Sequence, residues 1–190
     1  ANTYKEARAR NTSFVIGVAN ASSTVLFQRQ LKFQRVTSLT VKLGLGNVER
    51  KIVPGESPCF QIKWDESQLS WRLKRPSAKY RVTSDSNGTW LWRNTGSYGI
   101  YAEMGWFPAD AGMLPGAMSQ VDTTRTIKLN PVKLWIGLDQ RCKWEDYHYF
   151  DLPERYKPSP LNFIFKDLTD KNRLIVPETA RMSLLDFDAY

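Results

Sequence analysis

A chain of 190 residues suffices for one domain burying about 70% of the surface its unfolded form exposes, and 42% apolar with 13% aromatic residues excludes a disordered segment. With 27 Lys and Arg against 19 Asp and Glu the formal charge is +8, a balance that suits anionic partners, yet it is spread along the chain rather than gathered in an Arg-rich arm. Two cysteines without CxxC spacing and a single histidine exclude a disulfide scaffold and a His-rich metal centre, so Cys59 and Cys142 read as buried thiols.

Residues 3–10 read as a short helix opened by a Thr3/Glu6 capping box. It has no apolar stripe of its own, and so short a helix is unstable alone in water. Tyr4, Lys5, Arg8 and Arg10 are therefore candidates for an assembly arm, with residues 1–12 forming the arm and 13–190 a single β-sandwich domain. From Ser13 the pattern turns to β. Short apolar or alternating runs at 13–18, 24–33, 38–45, 49–53 and 59–64 are cut by turn residues at 20–22, 44–47 and 54–55.

Further strands are expected at 71–73, 80–83, 89–92 and 98–106, with the Asn87-Gly88 step closing a hairpin. Residues 107–119 form the longest irregular stretch, with Met104, Met113 and Met118 in or beside it, and a loop of that length is usually functional or an interface. Strands at 124–129, 133–138, 161–165 and 174–176 follow, and residues 180–190 close the chain as a tail or small helix. Many strands at roughly ten-residue spacing predict an all-β fold, an antiparallel sandwich or jelly roll. No apolar run reaches the roughly eighteen residues of a membrane span and no leader pattern is present. Ala1 then reads as the residue left after loss of an initiator Met in the cytosol.

The densest stretch is 141–156, which carries Cys142, the single histidine and three of the eight tyrosines. Two readings stand side by side. In one, Trp144, Tyr147, Tyr149 and Phe150 are the core side of an aromatic strand ending at Leu152-Pro153. In the other, Tyr147, His148, Tyr149 and Tyr156, titrating near about 6.5 and about 10 among four carboxylates, form a pH-sensing group.

The run His148-Tyr149-Phe150-Asp151-Leu152-Pro153-Glu154-Arg155-Tyr156 resembles a segment of the cypovirus polyhedrins, the occlusion-body matrix proteins of insect reoviruses. Weaker similarity lies in Phe14-Val15-Ile16-Gly17-Val18 with Thr24-Val25-Leu26-Phe27 behind a basic helix, and in Gln61-Ile62-Lys63-Trp64 followed by Trp71-Arg72-Leu73-Lys74. The resemblance implies a structural protein that crystallises around virus particles in the cytoplasm of an infected cell and dissolves in alkali. Its partners would be itself and virus particles, and it would need no cofactor, a bound nucleotide being left open without a site. The charge permits the switch: near pH 11 neutral lysines and ionised tyrosines would turn +8 into roughly −9.

Catalysis is not expected. A nucleophile would have to use His148, Cys142 lies too far along a strand from it, and no GxSxG elbow, dinucleotide fingerprint or Walker lysine is present. Two other classes fit the composition. One is a basic jelly-roll coat protein binding RNA, against which stands the missing disordered arm. The other rests on Val15-Ile16-Gly17-Val18-Ala19-Asn20-Ala21-Ser22 and on Val53-Pro54-Gly55 before a strand, which resemble actinoporin-like or aegerolysin-like membrane-binding β-sandwiches and imply Trp90, Trp92, Trp106 and Phe107 as lipid contacts.

Overall fold

The computed structural model describes residues 2–51, 58, 60–76, 78–97, 99–109, 132–145, 148–157 and 159–187. The chain is all-β in class, carried on two sheets, with a short N-terminal helix and small 3-10 turns near the C-terminus. It divides into two compact units: Ala1–Leu39, Ser57–Phe60 and Pro153–Ala180 make the smaller, and Thr40–Glu56, Gln61–Leu152 and Arg181–Tyr190 the larger.

In the smaller unit, strand β1 (Phe14–Ala19) and strand β2 (Gln34–Ser38) flank strand β9 (Asn162–Asp167) in an antiparallel sheet, with Val18 opposite Phe163 and a bulge in β2 between Arg35 and Thr37. A central strand must bury both faces, and period-two alternation lets β9 do so. Ile164 joins Ala19 and Phe33 on one side, whereas Phe163 and Phe165 meet the rings of Phe60 at 5.5 Å and Phe14 at 5.9 Å. At the end of β9, Asp167 accepts hydrogen bonds from the Thr169 and Arg173 backbone and from the Arg173 guanidinium, which also donates to the Ser13 carbonyl at 2.8 Å.

Two expectations change here. Residues 24–33 read as a strand but form helix α2 (Ala21–Arg29). Asn20 turns the chain: its side chain accepts from the Ser23 N–H at 2.8 Å, and the Thr24 hydroxyl donates to its carbonyl at 2.6 Å. That cap overrides the β-preference of Thr24 and Val25. Helix α1 (Asn2–Ala9) encloses Thr3 rather than being capped by it, and Glu6 accepts from Arg10 at 2.6 Å instead of closing a box. Tyr4 packs on the Ala19, Phe33 and Ile164 cluster, with Lys166 Nζ 5.2 Å from its ring centre. Lys5, Arg8 and Arg10 are exposed.

The larger unit holds a six-stranded sheet in the order β4-β5-β6-β7-β3-β8. Its strands are β3 (Thr40–Gly44), β4 (Tyr80–Asp85), β5 (Gly88–Asn94), β6 (Ile100–Pro108), β7 (Val132–Gly137) and β8 (Tyr149–Asp151). All neighbours are antiparallel except β6 and β7, which run parallel from the Ile100–Val132 pair. The β4–β5 hairpin turns at Asn87-Gly88 as expected. There the Asn87 N–H donates to Asp85 at 2.7 Å, and Gly88 sits at φ +154° with no room for a Cβ beside the Phe107 carbonyl.

Helix α3 (Glu66–Leu73) replaces the strand expected at 71–73. Asp65 and Gln68 form a reciprocal capping box at its start, and Leu69 supplies its buried contact. At the other end of the chain, Leu138 and Met182 exchange two backbone hydrogen bonds of 2.8 Å. They bring the 3-10 turn Leu184–Asp186 with its buried leucines into this unit. Trp90 and Trp92, named above as lipid contacts, are core residues at 2% and 0% exposure. No helix among the described residues is long and apolar enough to cross a membrane.

Candidate functional site

The chemistry of the larger unit gathers around one buried carboxylate. Strand β6 reads as apolar, yet its fourth residue is Glu103, 3% exposed, next to a register shift between Leu91 and Trp92 of β5. Such a shift re-aims side chains. Opposite it comes Arg50, held by a β-bridge to Cys142 in the segment after β3. Arg50 donates Nη2 to Glu103, Nε to Asp139 at 3.3 Å and Nη1 to the Val48 carbonyl at 3.3 Å. Arg141 completes the group with a bidentate clamp on Asp139, both bonds 2.8 Å long.

Both guanidiniums lie against the Trp106 ring, with their carbons 5.0 and 5.3 Å from its centre. Burial pushes the Glu103 carboxyl up against the pull of Arg50. Burial also acts on Asp139, but the Arg141 hydrogen bonds outweigh it and hold that carboxyl below the usual carboxylate range. Lys133 stands at the edge of the network, its ammonium 4.4 Å from the Trp92 ring centre and bonded to Asn47. Burial pushes it down to about 8 despite the nearby Glu103.

Beside this network an aromatic stack runs Trp135, Trp144, Tyr149, with ring centres 4.8 and 5.5 Å apart, over Val48 and Cys142. The Tyr149 hydroxyl donates to the Gly46 carbonyl at 3.0 Å. Burial pushes its phenol well above the ordinary value and the Cys142 thiol up to about 12. On the open side of the stack Lys42 bonds Asp151 at 2.9 Å and lies 5.2 Å from the Trp144 ring centre.

A cleft of about 420 Å³ opens between the ion network and the C-terminal 3-10 turn. Trp64, Trp106 and Trp135 line it, together with Arg50, Asp139 and Arg141. Asp186 closes one wall, accepting from Trp64 Nε1 at 2.9 Å and from the Ser183 backbone at 2.6 Å, and burial pushes its carboxyl up.

The expected pH-sensing residues fall in both units. His148 is exposed and Tyr149 half-buried in the larger unit, Tyr156 belongs to the smaller one and is 61% exposed, and Tyr147 lies outside the described residues. Arg155 covers the Tyr156 ring at 4.7 Å. Cys142 is buried and free, which suits an inert thiol, whereas Cys59 lies outside the described residues. So do the expected strand at 124–129 and most of the irregular stretch at 107–119. No group of three or more metal-ligating side chains occurs among the described residues.

Arg50, Glu103, Asp139 and Arg141 were not singled out by motif. The available signal was a lone carboxylate in the apolar run Tyr101-Ala102-Glu103-Met104, since a charge is almost never fully buried unless paired. No family model, curated protein or solved structure matches the chain.

Proposed function

We propose that this is a structural protein that works by associating with copies of itself at neutral pH and separating in alkali, as an occlusion-body matrix does. The observation that carries the reading is that large apolar side chains are left in water, several of them next to one another along the chain. Leu174 and Val176, on either side of buried Ile175, are 72% and 51% exposed, and Val25 and Leu26 are adjacent on α2 and also exposed. Phe150 adds a further ring on β8 at 58%. Scattered apolar residues are ordinary on a surface, but paired ones are what an interface covers.

Alkaline release has two sources. The net charge swings from +8 to negative as lysines lose protons and tyrosines ionise, so identical molecules come to repel. The fold itself weakens as well, because buried Tyr149 and Cys142 hold their protons more tightly than an unfolded chain would. Light scattering of the purified protein at rising concentration, at pH 7 and in carbonate buffer, tests the reading. Large assemblies that disperse in carbonate are expected, and Leu174→Asp with Val176→Asp should prevent them. A single unassembled species at high concentration and neutral pH would overturn the proposal.

A further inference from the structure

We propose that another cleft of the larger unit, between the β4–β5 turn and the segment after β3, binds a neutral saccharide. It measures about 380 Å³, in the size range of small-ligand sites, and Glu49, Ser86, Asn87, Trp90 and Trp106 are among its walls. The observation that points to a ligand is Trp90. The residue is 2% exposed, and its Nε1–H is buried without an acceptor among the described residues. Two other indoles of the unit are paired: Trp64 donates to Asp186 at 2.9 Å and Trp92 to the Thr83 hydroxyl at 2.8 Å. A buried donor is costly to leave open, so beside a cavity it is where a ligand oxygen gains most.

The remaining walls select the chemistry. Arg50 also borders the cleft, but its charge is matched by Glu103 and Asp139, and the Glu49 carboxylate repels an anion. An ammonium is excluded by Trp90, since it carries nothing with which to accept a hydrogen bond. Glu49 meets Lys143 Nζ at 3.5 Å through Oε2, which leaves Oε1 to accept from a ligand. The side chains of Ser86 and Asn87 are exposed and make no hydrogen bond among the described residues, and each can both donate and accept. A ligand that meets an indole N–H, a hydroxyl, an amide and a carboxylate from separate segments needs several groups that donate and accept in turn on a rigid frame. The hydroxyls of a sugar ring meet that need, and a rigid ring loses little freedom on binding.

Proton–nitrogen correlation spectra of the labelled full chain, titrated with the methyl glycosides of glucose, galactose, mannose and N-acetylglucosamine, test this. The Trp90 indole N–H signal should move downfield and saturate with at least one of them. The signals of Trp64 and Trp92, whose N–H groups are already bonded, should stay in place. A free sugar that binds as tightly as its methyl glycoside identifies a glycan end as the ligand, and tighter binding of the free sugar identifies the monosaccharide. Glu49→Ala should weaken binding about tenfold. Glu178→Ala, the same loss of charge on the exposed surface of the smaller unit, should not. No saturable movement with any of the four sugars, equal movement of all three indole signals, or an unchanged midpoint in Glu49→Ala would overturn the proposal.

Discussion

Arg50 and Glu103 form an ion pair whose side chains are 4% and 3% exposed, joining the segment after β3 to the middle of β6. Two charges taken out of water repay their lost hydration only while both are present. Arg50→Met alone is therefore expected to cost about 3–5 kcal/mol by stranding Glu103. Arg50→Met with Glu103→Leu should recover most of that loss, because two apolar side chains can occupy the same space. Urea unfolding followed by tryptophan fluorescence reads both, and a single substitution costing under about 1 kcal/mol would contradict the burial.

Alkaline stability should change in two phases of opposite sign. Lys133 has a folded pKa near 8 against an ordinary 10.5, so the unfolded chain binds more protons between those values and stability rises there with pH. Cys142, raised from 9.0 to about 12, and Tyr149, raised above its ordinary 10.0, act the other way. Their contribution is complete below the unfolded values and is lost as pH climbs through the folded ones. Denaturation midpoints from pH 7 to 12 should show Lys133→Met flattening the first phase. Cys142→Ala should delay the start of the second phase from 9.0 towards 10.0, Tyr149→Phe should make its later part shallower, and a fall unchanged from the parent protein in both variants would reject these groups as its origin.

Gly44 is fixed by contact rather than by dihedral angle. A Cβ there would lie 2.4 Å from the Tyr149 ring and 2.5 Å from the His148 carbonyl oxygen, and a backbone oxygen cannot step aside. Gly44→Ala should cost more than the about 1–3 kcal/mol of ordinary overpacking. The loss should fall on β8 first. Faster hydrogen exchange at the Leu152 amide, which donates to the Val41 carbonyl at 3.0 Å, is the expected sign.

The start of α2 offers a test of local against tertiary control. Thr24 Oγ1 donates to the Asn20 carbonyl and accepts from Asn162 Nδ2 at 2.8 Å, so one buried hydroxyl ties the helix to β9. Asn20→Ala should cost about 1 kcal/mol as a lost cap. Thr24→Val keeps the shape but leaves the Asn162 amide without that partner, for about 1–3 kcal/mol. If Thr24→Val proves neutral in thermal unfolding, the tie contributes nothing.

What the sequence determined by itself is what depends on neighbours along the chain. Alternating or apolar runs placed β1, β3, β5 and β6 within a few residues, the Asn-Gly step placed the β4–β5 hairpin, and the run at 161–165 marked the strand that is β9. It failed at α2, where Val25-Leu26-Phe27 suits a strand as well as a helix and only the Asn20 cap with the contact of Thr24 to β9 resolves the choice. The candidate site was the least legible part. Arg50 lies 53 residues from Glu103 and 89 from Asp139, and no local pattern ties them. Their pairing follows from the order of strands in the six-stranded sheet, because a buried charge takes whichever partner the folded chain brings within reach.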